Sequence, residues 1–305
     1  MDYVNHQVVE ILQCEACHLT YSDYSKKEVL SSDQQEKEKY QSGAYHTEES
    51  FLHRLLNPFI LFLEKGKLSY FNRQVNGKKL LEIGCGKGNL LLVANQRGAK
   101  ACGIDINLRV KKEVKEQAIE LIETDVNGLV KQNRKFDLLI LWHVLEHIPN
   151  VKQFYNDLHH ICHKESEIII AVPNEKSWQH RLTGAKWYHL DPNRHLYHFN
   201  INTLKKELSN AQFKVENVSY HSFYQNFIGD YISVANILFK IKNLSFNLVR
   251  SRKYLETNFG KLRVYTETLL FIMYTLILII PLLLFTFLSQ VFKRSGTMVL
   301  RVKAK

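Results

Sequence analysis

The stretch KLLEIGCGKGNL, residues 79–90, places three glycines where a β-rich run gives way to a helical one. The run KLLEI has the apolar character of a buried strand, and NLLLVANQRG, residues 89–98, has the spacing of a helix. Glycine at such a turn lets a ligand approach the backbone, and the helix N-terminus offers free N–H groups. The stretch therefore predicts a ligand-binding turn at Gly84, Gly86 and Gly88.

Strand-like and helix-like runs alternate after this turn. The strand-like runs are ACGIDI (101–106), AIELIETD (118–125), FDLLILW (136–142) and EIIIAVPN (167–174), and helical patterns separate them. Continuous apolar strands joined by helices are typical of a parallel sheet that is covered on both faces. The sequence therefore predicts an α/β fold with a Rossmann-like, doubly wound sheet.

Polar residues at the strand ends narrow the class of ligand. Asn89 stands where a dinucleotide-binding fingerprint has its third glycine, which argues against NAD. Asp105 closes the next strand, 23 residues after Glu82, where a carboxylate can accept both hydroxyls of a ribose. The two following strands end at Asp125 and Trp142. A glycine turn that serves only helix packing, with a capping Asp, remains the alternative.

Four residue groups, LEIGCGKG, GIDI, ETDV and FDLLILWHVLEHIPN, occur in this order within residues 79–220. In this order they resemble the class I S-adenosylmethionine-dependent methyltransferases, which implies S-adenosylmethionine as the cofactor and a seven-stranded sheet. The resemblance also implies that Asp105 holds the ribose, and that Glu82 fixes the glycine loop or reaches the methionine ammonium through water. The expected cofactor-binding residues are Glu82, Gly84, Gly86, Gly88, Asp105, Ile106, Asp125, Val126 and Trp142.

Candidate catalytic groups follow the fourth strand. Methyl transfer to oxygen needs a base, and His143, Glu146 and His147 share one face if WHVLEHI forms a helical turn. The stretch is similar to the quinone-biosynthesis O-methyltransferases, whose corresponding turn carries two acidic residues and a His and has been linked to a divalent metal. Because His143 replaces the first acid, we predict no metal here. A purely structural turn, with His147 bonded to backbone, is the alternative.

A second group of candidates lies in DPNRHLYHF, residues 191–199, which resembles a segment that follows strand five in a subgroup of these enzymes. A loop in that position covers the methyl end of the cofactor. His195 is therefore the preferred base or substrate contact, with a structural role as the alternative. Trp187, Tyr188 and His189 are expected to wall the same pocket.

The N-terminal 49 residues are polar and carry the pair Cys14 and Cys17. The spacing fits half of a zinc site, but zinc needs four ligands and only His6 or His18 lies nearby in sequence. We therefore interpret CEAC as the remnant of a cysteine knuckle without metal. The five cysteines have no disulfide-like spacing, which indicates a reducing, cytosolic side.

The positive charge is concentrated near the C-terminus. Residues 240–305 hold twelve Lys or Arg against two Glu, so ten of the eleven net positive charges lie there. Basic residues beside an apolar run favour an anionic membrane surface over nucleic acid. We expect no nucleic-acid partner.

The apolar run itself extends from Thr268 to Phe292, 25 residues without a charge, which is long enough to cross a bilayer. It is followed by TMVLRVK, residues 297–303, whose alternation suits the antiparallel seventh strand of the family's sheet. Both flanks of the run are basic, and Pro281 near its middle could allow a kink or reversal. We therefore favour a re-entrant or interfacial insertion, with residues 226–241 as a partner helix, over a single span.

These observations predict four segments. They are an N-terminal extension (1–49), a methyltransferase domain (50–222), a hydrophobic membrane-associated helical segment (223–292) and a basic last strand (293–305). The expected protein is a membrane-associated methyltransferase on the cytoplasmic side, which methylates oxygen on an amphipathic or lipid-linked small molecule. The alternatives are a catalytically inactive membrane interaction subunit with this fold, and a methyltransferase of a soluble small molecule.

Overall fold

A computed structural model describes residues 9–23, 51–192, 194–239, 241, 243–244, 256–257 and 259–305. His6, most of the polar N-terminal 49 residues and part of the basic flank before the apolar run (Arg250, Arg252 and Lys253) lie outside these residues. The strands are β1 (Glu10–Gln13), β2 (Thr20–Asp23), β3 (Lys79–Ile83), β4 (Lys100–Asp105), β5 (Glu120–Glu123), β6 (Phe136–Trp142), β7 (Cys162–Pro173), β8 (Tyr197–His198), β9 (Phe213–Ser219) and β10 (Thr297–Ala304). The helices are α1 (Phe51–Leu68), α2 (Asn89–Gln96), α3 (Lys112–Lys115), α4 (Val126–Lys131), α5 (Val151–His160), α6 (Trp178–Thr183), α7 (Ile201–Asn210), α8 (Phe223–Leu238) and α9 (Lys261–Val291).

Seven strands form the central sheet in the order β5-β4-β3-β6-β7-β10-β9. The pairs from β5 to β7 are parallel, and β10 is antiparallel to both of its neighbours. Apolar side chains of β3, β6 and β7 are almost fully buried between helices on both faces. The predicted Rossmann-like doubly wound sheet is therefore confirmed.

The insertion before the last strand is also confirmed. β10 pairs with β7 from Thr297↔Pro173 and with β9 from Val299↔Ser219, so the chain returns to the sheet interior after α9. The end of β9 and the start of β10 therefore lie at the same sheet edge as the carboxyl end of β7. The insertion leaves and re-enters the sheet at that edge.

Within the insertion, α8 and α9 form an antiparallel pair. Asp230 contacts Thr286 near the sheet, and Phe239 contacts Phe271 further along both helices. Pro281 lies inside α9, which is helical from Lys261 to Val291. The chain therefore does not reverse at Pro281, because the reversal occurs between α8 and α9 instead.

The N-terminal hairpin β1–β2 forms a separate three-stranded sheet with β8. Ser22 Oγ donates a hydrogen bond to the carbonyl of His195 at 2.8 Å and lies 3.0 Å from Nε2 of His198. The N–H of Ser22 also donates to the carbonyl of Leu196. The hairpin therefore supports the loop that carries His195.

Candidate active site

The predicted cofactor residues lie at the carboxyl ends of β3, β4, β5 and β6, and therefore at one end of the parallel strands. The three glycines after β3 all have positive φ angles, from 51° to 74°. A Cβ on Gly84 would meet Val144 at 2.6 Å, and one on Gly88 would meet Val114 at 2.9 Å, so these two glycines allow close packing. A Cβ on Gly86 would meet nothing within 4 Å. Gly86 is therefore the glycine whose backbone faces open space.

Asp105 joins the glycine loop to the end of β4. Its Oδ2 accepts the N–H of Gly86 at 3.0 Å, and its Oδ1 accepts the N–H of Asn107 at 3.0 Å. Ile106, between the two, is 57% exposed. The carboxylate therefore sits at the mouth of the loop, in reach of a ligand that lies over Gly86.

Glu82 is buried behind the loop. Its Oε2 has no hydrogen-bond partner, whereas the backbone N–H of Leu91 donates to the carboxylate. Burial raises its pKa to about 8, and the positive charge of Lys67 opposes this shift. The unpaired oxygen offers a place for a cationic group, and the bond to α2 fits the expected role of fixing the glycine loop.

At the end of β5, Asp125 caps α4 by accepting the N–H of Gly128 at 3.0 Å. Val126 follows it and is buried. The N–H of Thr124 donates to the carbonyl of Asp105, so the start of this helix, with the expected cofactor residues Asp125 and Val126, lies beside Asp105. The open space at Gly86, the carboxylate of Asp105 and the unpaired oxygen of Glu82 together fit a ligand with a ribose and an ammonium group.

Trp142, at the end of β6, contacts Lys67 of α1, a helix that no sequence signal connects with the site. Its ring lies 5.7 Å from that of Tyr70, centroid to centroid, and Nζ of Lys67 lies 4.9 Å from its centroid. Lys67 also pairs with Glu64 at 2.8 Å. α1 therefore closes this side of the site, and no local signal in residues 64–70 links them to a tryptophan 72 or more positions away.

The turn after Trp142 differs from the predicted helical turn. His143 has a φ of 55°, in the left-handed region, and only Leu145–His147 form a short 3₁₀ turn. Nδ1 of His143 lies 3.1 Å from Oε1 of Glu146, which is fully buried. The predicted common face is thus wrong for an α-helix, but Glu146 still contacts His143.

His195 joins this group from the loop before β8. Its Nδ1–H donates to the carbonyl of His189 at 2.8 Å, a tautomer that leaves the Nε2 lone pair free. Burial holds the pKa of His195 well below its usual range, so the ring is neutral. The rings of His195 and His147 meet edge to face at 4.8 Å. His147 Nδ1 lies 2.9 Å from the carbonyl of Arg194, the backbone bond expected of a structural turn.

Glu146, His147 and His195 each present a ligand atom within 4.8 Å of the others. Carboxylate and imidazole suit a divalent cation, so this trio has the chemistry of a partial metal site. The trio contains His195 and not the predicted His143. The ring of His143 stacks on that of His189, with the centroids 5.4 Å apart. The expectation of no metal stays a prediction.

The predicted wall residues do line up behind His143. Trp187 and His189 are buried, and their rings lie 5.7 Å apart. The N–H of Tyr188 donates to Ser233 Oγ on α8 at 2.9 Å. The wall therefore belongs to both the loop and the insertion.

Cys14 and Cys17 lie in the turn of the β1–β2 hairpin, and His18 there has a φ of 61°. Hydrogen bonds from the backbone of Cys17 lower the pKa of Cys14. Within the described ranges, no third metal-ligating side chain gathers with these two cysteines. The interpretation as a knuckle remnant stays a prediction.

Residues 49–218 match the family described as "Methyltransferase domain". The ubiquinone biosynthesis O-methyltransferase of Salmonella paratyphi A is 26% identical over 45% of this chain, and the matched region spans 58% of that relative. The structure of coclaurine N-methyltransferase bound to N-methylheliamine and SAH has 14% sequence identity to this chain and a TM-score of 0.51. The match covers 91% of this chain and 82% of that chain. The structure of an S-adenosylmethionine-dependent methyltransferase from Mesorhizobium loti has 13% sequence identity and a TM-score of 0.48. The match covers 79% of this chain and 97% of that chain.

The family match covers more than half of the 305 residues, and the strand order and edge residues described above agree with it. The chain therefore belongs to the methyltransferase domain family, with the fold of the class I enzymes and with S-adenosylmethionine as its cofactor.

Proposed function

We propose that the protein transfers a methyl group to an oxygen atom of an amphipathic or lipid-linked small molecule at a membrane surface. One observation carries the proposal: the sheet edge that holds the cofactor residues is also the edge from which the apolar α8–α9 pair leaves. Bound S-adenosylmethionine supplies an activated methyl group. An acceptor that reaches this edge from a bilayer would meet it there.

The chain's own residues supply the remaining chemistry. His195 is neutral, and its free Nε2 can take the proton from an acceptor hydroxyl. His189 fixes the His195 ring through its carbonyl, and Glu146 lies beside both His143 and His195. Glu146, His189 and His195 are at most 7% exposed, which favours a fixed geometry of base and acceptor.

The exposed surface of α9 supports the membrane part of the proposal. In its most apolar 18-residue window only 11% of the residues are buried. Leu276 and Ile280 are each 75% exposed and Ile277 is 67% exposed. A helix that is apolar on all sides is stable when lipid or protein covers it. The basic residues on both flanks favour an anionic lipid surface as the cover.

The geometry of the insertion favours an interfacial or re-entrant arrangement over a span. α9 is about 46 Å long at 1.5 Å per residue, but its C-terminal end is tied to the domain. Ser295 Oγ donates to the carbonyl of Tyr220, and the N–H of Trp178 donates to the carbonyl of Arg294. Both ends of the insertion therefore start from the catalytic domain, which we place on the cytoplasmic side.

The name of the Salmonella relative contributes the acceptor class. That enzyme is a ubiquinone biosynthesis O-methyltransferase, so its name indicates methylation of oxygen on a small molecule. An acceptor with a hydroxyl and an apolar tail would suit a site beside a lipid-facing hairpin.

The test is to incubate membranes that contain the full-length protein with methyl-labelled S-adenosylmethionine and to identify labelled products in the lipid and aqueous extracts. We expect label in the lipid extract, and less of it with Asp105→Ala when the cofactor is below saturation. Label in the aqueous extract alone would favour a soluble acceptor. Cofactor binding without any product from membranes would favour the inactive interaction subunit.

Membrane contact is tested separately by flotation with vesicles of phosphatidylglycerol and phosphatidylcholine. The double variant Leu276→Ser/Ile280→Ser should float less than the wild type. Ile11→Ser, at an exposed apolar residue on β1, is the matched control and should float normally. Equal flotation of all three proteins would argue against lipid contact by α9. Loss of a dimer in the double variant would indicate a second copy as the cover.

A further inference from the structure

A chain of buried hydrogen bonds joins α9 to the loop behind the histidines. Thr286 Oγ1 on α9 donates to Asp230 Oδ2 on α8 at 2.6 Å. Gln179 Nε2 on α6 donates to Asp230 Oδ1 at 2.8 Å, and Gln179 Oε1 accepts the indole N–H of Trp187. All four side chains are at most 1% exposed. The network is thus shielded from water along its length, where each bond depends on its neighbour.

The network continues into the candidate active site through ring contacts. Trp187 packs between His180, stacked at 4.5 Å, and His189, edge to face at 5.7 Å. His189 stacks on His143 with the ring planes 2° apart, and its carbonyl holds Nδ1 of His195. A shift of Trp187 would therefore reach both candidate catalytic histidines through His189.

Gly229 allows α8 to approach this group closely. A Cβ at this position would meet Gln179 Nε2 at 2.7 Å and His189 Nε2 at 2.9 Å. Asp230, the next residue, supplies the two acceptor oxygens. α8 thus approaches both Gln179 and His189 at Gly229, and the carboxylate of the next residue holds Gln179, which leaves little freedom for the Gln179 side chain.

The amide of Gln179 has one orientation that satisfies both of its neighbours. Its nitrogen must face the Asp230 carboxylate and its oxygen must face the Trp187 N–H. A flipped amide would place two donors against each other at Trp187. The state of Asp230 and Thr286 therefore fixes the orientation of Gln179, and with it the position of Trp187.

We infer that Asp230, Gln179 and Thr286 are positioning residues, which tie the placement of His189, His143 and His195 to the placement of the α8–α9 hairpin. The inference rests on the proposed function, since it assigns the network a role in methyl transfer to the acceptor. None of the three is among the candidate cofactor-binding or catalytic residues. They act through the orientation of the wall of the site.

The test compares two threonines of α9. Thr286→Val removes the hydroxyl that donates to Asp230, whereas Thr275→Val removes a hydroxyl bonded to Tyr231, 11 residues nearer the hairpin tip. Both changes delete one bond between α8 and α9, but only the first touches the network. With the full-length protein in vesicles, Thr286→Val should lower kcat about tenfold, with acceptor KM and cofactor Kd within about twofold. Thr275→Val should retain kcat, and Thr286→Ser should restore it.

Equal losses in the two valine variants would overturn the inference, because the effect would then be general loosening of the hairpin. Unchanged kcat in Thr286→Val, or a change confined to KM, would overturn it as well. Should Thr286→Val fail to fold, Asp230→Asn serves instead. An amide at position 230 leaves one acceptor oxygen for the two donors of Gln179 and Thr286, so it should loosen the network and lower kcat without altering shape.

A spectroscopic readout separates this inference from the proposed function. The chain has three tryptophans, and 5-fluorotryptophan labelling gives three ¹⁹F resonances. The Trp187 resonance, assigned with Trp187→Phe, should shift in Thr286→Val and in Asp230→Asn but not in Thr275→Val. If the wild type yields no methylated product, the proposed function fails and this shift still tests the coupling. If methylation occurs but the Trp187 resonance is unmoved, the inference alone fails.

Discussion

Asp105 accepts a hydrogen bond from the N–H of Gly86 at 3.0 Å, and so links two successive strand ends of the sheet. We expect Asp105→Ala to weaken binding of S-adenosylmethionine by about 1.5 to 3 kcal/mol, because hydrogen bonds to a charged group are lost. Calorimetry measures this directly. Asp137→Ala is the matched control, since it removes a carboxylate bond to the N–H of Lys79 at the opposite edge of the sheet. Equal affinities in wild type and Asp105→Ala would remove the ribose from this position.

Glu82 should make cofactor binding depend on pH. Burial raises its pKa from 4.5 to about 8 in the folded protein, so folded stability falls as the pH rises from 4.5 towards 8. A bound cation favours the ionised carboxylate and recovers part of that cost. The cofactor should therefore bind more tightly as the pH rises to 8, with little change above it.

The measurement for Glu82 is calorimetry at pH 7 in two buffers that differ in ionisation enthalpy. Wild-type protein should release a proton when the cofactor binds, whereas Glu82→Gln should release none. Proton release that is the same in both proteins would assign it to another group.

His195→Ala should lower turnover by roughly 100-fold if the ring is the general base, with cofactor affinity retained. The structural reason is that Nε2 is free while Nδ1 is held by the His189 carbonyl. Single-turnover kinetics with the lipid-extractable acceptor measure the chemical step. A fully active variant would move the role to His143 or His147, or remove the need for a base.

Activity should persist through exhaustive chelation. In the trio Glu146, His147 and His195, one oxygen of Glu146 already contacts Nδ1 of His143. Both imidazoles have Nδ1 engaged by a backbone carbonyl and three ligand atoms remain, so the prediction rests on His143, which stands in place of the first acidic residue of this turn. Labelled product is measured after treatment with EDTA. Loss of activity that Mg²⁺ or Zn²⁺ restores would establish a metal at this turn.

Cysteine labelling in intact cells tests the topology. In a Cys14→Ser/Cys17→Ser background, Lys305→Cys reports on which side of the membrane the central sheet lies. Lys261→Cys reports on which side the exposed start of α9 lies. Both should resist a membrane-impermeant thiol reagent until the membrane is opened. Labelling of Lys261→Cys alone would mean that α9 crosses the bilayer. Ser295 is less suitable than Lys305, because Ser295 is fully buried.

The sequence predicts those parts of the fold whose signals are local. Asp105 follows its strand directly, and TMVLRVK has a strand alternation that the structure places between β7 and β9. The site is less accessible to sequence reasoning. The contact of Lys67 with Trp142 and that of Gln179 with Asp230 join residues 75 and 51 positions apart, and nothing in either neighbourhood indicates the partner.

The turn at Leu145–His147 shows a different limit. The composition of this Leu-Glu-His turn is compatible with an α-helix, but the structure has a 3₁₀ turn. The side chain of Glu146 is fully buried in this turn and contacts His143. Tertiary packing, rather than local preference, selects the conformation. His143 in the left-handed region reflects the same packing.

The position of β10 has a consequence for biosynthesis. Pro173 on β7 pairs with Thr297, 124 residues later, and Met298, Leu300 and Val302 fill the space between β7 and β9 with no exposed surface. The apolar hairpin therefore leaves the ribosome before the strand that completes the sheet, and non-local pairing of this kind forms slowly. The lipid contact that we propose for α8 and α9 can therefore form before the catalytic domain closes, because the strand that completes the core is the last to be synthesised.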